Sequence, residues 1–272
     1  MPSNEFTIDG LVIHVRESGD NDRLVTILTR ERGKITFMAK GARSLKSRYM
    51  PACNPYVYAN YAIHVKGNAF WLREASVTEA FQGINRDIAS MYLAQYMCEV
   101  CMELSEPEQP AEELMRLVLN SFFAISNEVK PLPQIKAVFE IRAAILAGYE
   151  PDFTSCHICG AEESTAFYLD VMNGGIVCAS CAQAAPKVSP DAPAGTVPVD
   201  EYMTRSILMP LTPKSLGAFR AASSCPVQKM LSFELEATRD MNSFSKAAEC
   251  YLLSHLERGF QTLKTYYEVL RY

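Results

Sequence analysis

The sequence predicts an α+β chain of several domains: a small β-barrel, then a helical domain into which a four-cysteine metal-binding ribbon is inserted. Three observations predict it. Over the first eighty residues apolar and polar side chains alternate with the two-residue period of strands. From about Ile84 the apolar residues recur at helical spacing. Within that helical region lie two Cys-x-x-Cys pairs, Cys156/Cys159 and Cys178/Cys181, with 18 residues between them. The chain of 272 residues is long enough for two or three domains and a sizeable core. The expected divisions are 1–80 for the barrel, 81–154 for the first helical part, 155–185 for the ribbon and 186–272 for the second helical part.

In the barrel, residues 6–15 read as a first strand, with Gly10 as a bulge or bend. Ser18-Gly19-Asp20-Asn21-Asp22 is a turn cluster. Residues 24–29 and 34–39 form a hairpin across Arg30-Glu31-Arg32-Gly33. Residues 40–54 are a loop, and 55–65 and 70–78 form the last hairpin across Lys66-Gly67-Asn68. Five short strands predict a closed OB-fold barrel, because closure hides the edges; a small open sandwich is the alternative.

Charge separates this head from the rest. The formal net charge is −5, but residues 1–80 carry 11 Lys/Arg against 8 Asp/Glu, a surplus of +3, and residues 81–272 carry 15 against 23, or −8. Between Glu31 and Glu74 no acidic residue occurs, while that stretch holds Arg32, Lys34, Lys40, Arg43, Lys46, Arg48, Lys66 and Arg73. Aromatic residues are interleaved, among them Phe37, Tyr49, Tyr56, Tyr58 and Trp71. Cations neutralise phosphates and release counterions, and exposed rings stack on bases. Alternate strand residues point inward, so Phe37, Tyr56 and Tyr58 read as barrel filling. Lys40, Arg43, Lys46 and Arg48 fall within nine residues without an acidic neighbour and repel one another unless a polyanion meets them. They are the expected nucleic-acid contacts, with Arg32 and Lys34 from the same acid-free stretch.

Helices are expected at about 88–104, 111–125 and 134–147, the last stopped by Gly148. Leu114, Leu117, Val118, Ser121 and Phe122 share one face of the second. Cys98 and Cys101 lie three apart in the first helix, where core packing is the simpler reading than redox or metal chemistry. The ribbon follows. Two Cys-x-x-Cys pairs at this spacing fit a structural zinc site, one ion per chain, because each short turn presents two thiolates to a tetrahedral metal. Residues 166–171, the Asn173-Gly174-Gly175 turn and residues 176–177 supply strand, turn and strand between the pairs. A disulfide pair or a redox dithiol would account for one pair but not for both. His157 offers a Cys₃His variant that four cysteines make unnecessary. Beyond it, 185–195 reads as a Pro- and Ala-rich connector, and helices are expected near 200–209, 214–223, 227–236, 243–257 and 262–270.

Several classes are excluded. No run approaches the ~18 apolar residues of a membrane span, and the most apolar helical stretch, 137–146, is broken by Glu140 and Arg142. The first residues lack the basic head and apolar core of an export signal, and the nine cysteines are an odd number, so a reducing cytoplasm is the expected compartment. No phosphate-binding glycine loop, dinucleotide fingerprint or Ser/His/Asp grouping is present. No active site can be assembled, although a zinc-dependent nucleic-acid enzyme and a zinc-ribbon interaction scaffold remain as alternative readings.

The order of several short motifs resembles the RecO family of bacterial DNA repair proteins over nearly the whole length. The similarity rests on Gly10-Leu11-Val12, on residues 29–34, and on Ala39-Lys40-Gly41-Ala42-Arg43, the most specific of these. It continues through Phe139-Glu140-Ile141-Arg142 and residues 146–151, which lead into the cysteines, and through Leu211-Thr212-Pro213 and residues 251–257. The resemblance implies an OB-fold, a helical domain and a zinc module without enzymatic turnover. It implies a recombination mediator that binds single- and double-stranded DNA and anneals complementary strands. It also implies partnership with RecR and with the acidic, apolar tail of single-strand binding protein, help in loading RecA, and a cytoplasmic, nucleoid-associated location. RecF is left open as a further partner.

Overall fold

The computed structural model describes residues 4–184 and 207–270. The expected connector at 185–195 and most of the helix expected at 200–209 lie outside the described residues. The chain divides into two compact units, Met1–Ile135 with Gly259–Tyr272, and Lys136–Arg258.

The first unit contains a closed barrel of β1 (Glu5–Ser18), β2 (Asp22–Thr29), β3 (Gly33–Ala39), β4 (Tyr58–Lys66) and β5 (Ala69–Glu79), in the order β1-β2-β3-β5-β4. This is the expected OB-fold. The alternation that predicted the strands fills it: Ile35, Phe37 and Ala39 of β3 meet Ala59, Tyr61 and Ile63 of β4 inside. β1 is long enough to pair with both β2 and β4, and the ring closes where β3 runs parallel to β5 at Met38 and Trp71. The bulge expected at Gly10 is displaced; the register of β1 against β2 shifts between Val12 and His14. Gly10 serves close packing instead, since a Cβ there would lie 2.6 Å from the Ile27 side chain.

Helices α1 (Ile88–Leu104), α2 (Glu112–Ser126) and α7 (Gln261–Val269) complete this unit. Asp87 caps α1 by accepting from the Ser90 N–H at 2.9 Å, which satisfies one of the donors left open at a helix start. α1 is buried on several sides: Leu93, Ala94, Met97, Cys98, Val100 and Cys101 are all in the core. Burial pushes both thiols upward, so Cys98 and Cys101 are inert packing residues. α7 docks on α1 through the edge-on contact of Tyr96 with Phe260 and through the Thr262 hydroxyl, which donates to Glu99 at 2.6 Å. The face expected of α2 is the buried one, Leu114, Leu117, Val118, Ser121 and Phe122.

The turn between β2 and β3 is tied to the segment joining α1 and α2. Glu108 N–H donates to the Arg32 carbonyl at 3.0 Å and Ala111 N–H to the Arg30 carbonyl at 2.8 Å. Gly33, at φ +58°, sits in this crossing with no room for a side chain: a Cβ would lie 2.0 Å from the Glu106 carbonyl oxygen.

The second unit holds most of α3 (Leu132–Leu146), a sheet of β6 (Asp152–Cys156), β7 (Phe167–Asp170), β8 (Gly175–Cys178) and β9 (Leu208–Leu211), the short α4 (Ala179–Ala184), α5 (Pro213–Ser224) and α6 (Thr238–His255). The sheet order is β6-β8-β7-β9. The two strands expected between the cysteine pairs are therefore the centre of four. Residues 208–209, expected to end a helix, instead begin β9: Pro210 lacks an N–H for a helix, and β7 supplies the pairing partners. The helix expected at 227–236 is reduced to a single 3₁₀ turn, Val227–Lys229, which has no side-chain cap. α6 starts earlier than expected, at Thr238. Phe219 stacks on Phe153 at 5.0 Å and meets Phe244 edge-on at 4.7 Å, which joins sheet, α5 and α6.

Two charged residues of α3 lie inside this unit. Lys136 and Glu140 are both fully buried, with Lys136 Nζ 2.9 Å from Glu140 and 2.7 Å from Glu249 of α6. Two residues after Glu140, Arg142 donates to the Cys225 carbonyl at the end of α5. The interruptions of the apolar stretch 137–146 are thus internal: Glu140 holds Lys136, which reaches α6, and Arg142 reaches the end of α5.

Two outcomes follow from these contacts. Gly33→Ala combines a left-handed backbone with a backbone clash and is expected to cost roughly 2–4 kcal/mol; Gly41→Ala, at φ +66° with open space around it, is expected to cost about 1 kcal/mol. Denaturant unfolding of the two variants checks the difference. Lys136→Met leaves Glu140 buried without this cation and is expected to destabilise by about 3–5 kcal/mol. The double variant Lys136→Met/Glu140→Gln should recover part of that loss in the same assay.

Candidate nucleic-acid interface and metal centre

The four cysteines of the sequence pattern come together. β6 lies parallel to β8 with Cys156 opposite Ile176, which brings the end of one strand beside Cys178 at the end of the other. The chain after Cys156 folds into a tight knuckle: Gly160 N–H donates to the Cys156 carbonyl at 2.7 Å, and Gly160 adopts φ +75°. Cys181 comes from the first turn of α4. The four sulfur atoms all lie within 4.8 Å of one another, and those of Cys159 and Cys178 are 3.7 Å apart. A tetrahedral ion with metal–sulfur bonds of ~2.3 Å needs sulfur separations of about 3.8 Å, so the donor set and its geometry fit a metal ion. All four cysteines are free thiols in place of the disulfide alternative.

The local electrostatics prepare the site. Burial alone would raise the Cys156 thiol, but backbone N–H groups of Cys178, Cys159 and Ile158 more than offset it and bring it to about 6. Cys181, hydrogen-bonded to Cys159 and Cys178, is held up at about 12; four touching thiols do not all ionise without a cation among them. His157 turns to the buried Asp170, with Nε2 and Oδ2 3.2 Å apart, instead of serving a Cys₃His set. Gly175 makes room for it, since a Cβ there would meet the imidazole at 3.2 Å.

The expected DNA contacts divide into two groups. Lys40, Arg43, Lys46 and Arg48 share the loop between β3 and β4. The loop is fastened from below: Gly41 N–H donates to Asp22 at 2.8 Å, Arg23 donates to the Cys53 carbonyl and to Asn54, and the Tyr61 hydroxyl donates to the Ala52 carbonyl at 2.7 Å. Arg43 reaches the Gly19 and Asp20 carbonyls at 3.1 and 3.0 Å and pairs with Glu17 at 3.2 Å. The premise that this cluster has no acidic neighbour is therefore corrected. It holds along the sequence, but the turn between β1 and β2 folds Glu17 against Arg43.

Lys40 and Lys46 are exposed. Lys40 Nζ lies 4.9 Å from the centre of the Trp71 ring, a contact set up by the pairing of β3 with β5. Arg48 lies over Tyr49 at 4.8 Å and donates to its hydroxyl, and that hydroxyl donates to the Arg73 carbonyl at 2.6 Å. The bond to Tyr49 holds the Arg48 guanidinium above its ordinary range. Phe37 and Tyr56 are buried and Tyr58 is half-buried, while Trp71 and Tyr49 accompany the cations. Sequence reasoning left Trp71 out of the site; the β3–β5 adjacency of an OB barrel was the signal that could have placed it there.

Arg32 and Lys34 stand elsewhere. Lys34 lies six residues before Lys40 along β3, roughly 20 Å at ~3.3 Å per residue. Arg32 Nε donates to Glu108 at 3.0 Å with its guanidinium 4.7 Å from the centre of Phe6. Lys34 donates to the Met102 carbonyl at 3.0 Å, in the last turn of α1. Both cations tie the barrel to the helices of the same unit.

Among the described residues no helix is long and apolar enough to cross a membrane. Residues 1–81 match the family model described as Recombination protein O N terminal, and residues 85–198 match Recombination protein O C terminal. A DNA repair protein RecO of Anaeromyxobacter sp. (strain K) is 30% identical over 240 residues, which span 85% of this chain and 94% of that protein. The DNA repair protein RecO of Myxococcus xanthus is 33% identical over 64% of this chain and 71% of its own length, and that of Acetivibrio thermocellus 30% over 65% and 71%. With family models matching both its N-terminal and C-terminal regions and a relative 30% identical over 85% of its length, the chain belongs to the RecO family of DNA repair and recombination proteins.

Proposed function

We propose that this protein is a non-enzymatic recombination mediator that binds single- and double-stranded DNA through the loop carrying Lys40, Arg43, Lys46 and Arg48. On this reading it anneals complementary strands and acts with RecR and the tail of single-strand binding protein to promote RecA loading. The observation that carries the reading is the anchored cationic loop beside the half-buried Trp71 on a closed barrel. Phosphates meet the cations, and ring faces next to them suit unpaired bases. Arg32 and Lys34 contribute through the general field of the barrel more than through contact, because both are engaged within the protein.

The metal is best read as one structural zinc per chain. Four thiolates close the coordination sphere and leave no position for a substrate, which argues against a zinc-dependent enzyme. When bound, the ion would fix the knuckle of β6 to the end of β8 and the start of α4.

The DNA reading is checked by fluorescence anisotropy with labelled oligonucleotides. Lys40→Glu/Lys46→Glu should weaken binding to both strand forms about tenfold or more at low salt and flatten the slope of log K against log salt by about two. Unchanged affinity would contradict the loop assignment. For the metal, elemental analysis of reductively purified protein should give about one zinc per chain, and Cys156→Ser/Cys178→Ser should lose it. That variant should unfold at lower temperature yet retain DNA binding by the barrel; full metal content in the double variant would contradict the ligand set.

A further inference from the structure

Leu45 stands out at the tip of the cationic loop, where it is 89% exposed. It and Lys46 occupy the two corner positions of a turn closed by the Ser47 N–H on the Ser44 carbonyl at 2.9 Å. The flanking chain is fixed: Ala42 is buried in the barrel core, and Arg43 is bound to the opposite turn. The loop thus buries a small alanine and holds a leucine outward on a hydrogen-bonded corner. Single exposed leucines are common on proteins and mean nothing alone. This one is set among Lys40, Arg43, Lys46 and Arg48, on the loop whose neighbours Trp71 and Tyr49 carry cations on their rings.

A ligand that suits an apolar knob ringed by cations offers anions around a flat apolar face. The end of a base-pair stack has that character. An interior base step must be unstacked on both sides to admit a wedge, at a cost greater than the burial of one leucine returns without strong bending. A terminal pair at a junction of double and single strand already has an open face. The unpaired strand can continue over the cations while the leucine covers that face. An anionic lipid surface also joins charge with an apolar layer, but a single leucine is too small an anchor, and ring faces bearing cations have no use there.

We propose that Leu45 is a wedge that packs against the terminal base pair at a single-strand/double-strand junction and makes that junction the preferred substrate of the loop. The proposal rests on the DNA-binding reading of the same loop.

The test uses the full-length protein with a tailed duplex carrying 2-aminopurine at the junction pair, alongside a blunt duplex and a single strand of matching sequence. Wild-type protein should prefer the tailed duplex and brighten the 2-aminopurine. Leu45→Ala should lose the brightening and about tenfold in junction preference, with the salt slope of the wild type because no cation is removed. Leu45→Met should restore both effects, which separates a wedge from a disturbed loop. Binding of the tailed duplex by wild-type protein without brightening, or an unchanged response in Leu45→Ala, overturns the wedge and leaves the DNA reading standing. Absence of binding to all three DNAs overturns both. Leu45-dependent capture by vesicles rich in anionic lipid, with no junction preference, overturns the wedge in favour of a membrane contact.

Discussion

The architecture of the first unit depends on the closure of the barrel between β3 and β5. Those strands run parallel and meet at Met38 and Trp71, so the chain leaving β3 emerges beside an aromatic residue of β5. Lys40 consequently lies over Trp71, and the loop to β4 must pass across the barrel end. Had the sheet stayed open, β3 would present an unpaired edge and the loop would have nothing to lie against. The anchors from Asp22, Arg23, Arg43 and Tyr61 then fix that loop at several points. Fixing it in the free protein lowers the ordering cost of any later encounter with a polyanion.

The charges of this unit perform two different tasks, and only geometry separates them. Arg32 and Lys34 satisfy a carboxylate and a helix-end carbonyl, so their charge is spent on holding barrel and helices together. Lys40 and Lys46 remain exposed, where their attraction to phosphate is strong at low salt and screened within about 8–10 Å at physiological salt. On a protein of net charge −5 the surplus of cations is therefore local to this part of the chain. The four cysteines belong to the other unit, gathered at the ends of β6 and β8 and the start of α4.

Much of this was legible because the signals are local. A two-residue period marks the five strands, a helical period marks α1, α2 and α3, and each Cys-x-x-Cys is one turn of chain. The misses share one cause, partners distant in sequence. Glu17 answers Arg43, Glu108 answers Arg32, and Met102 answers Lys34. Residues 208–211 become a strand because β7 is there to receive them. Lys136 and Glu140, four apart on a helix, have the spacing of a solvated pair, and only the packing of α6 with Glu249 makes them a buried one. The bulge misplaced to Gly10 is a further case: a strand glycine signals either a kink or a close neighbour, and Ile27 decides which.

The central claim, that the loop beside Trp71 meets DNA, has a built-in reporter, because Trp71 is the sole tryptophan of the chain. Titration with an unlabelled single strand, followed by intrinsic tryptophan fluorescence, is the most direct measurement. The account predicts quenching that saturates with binding, disappears as salt is raised, and needs a higher oligonucleotide concentration when Lys40 is replaced by Glu. Undiminished tryptophan emission at oligonucleotide concentrations where anisotropy shows full binding would contradict it.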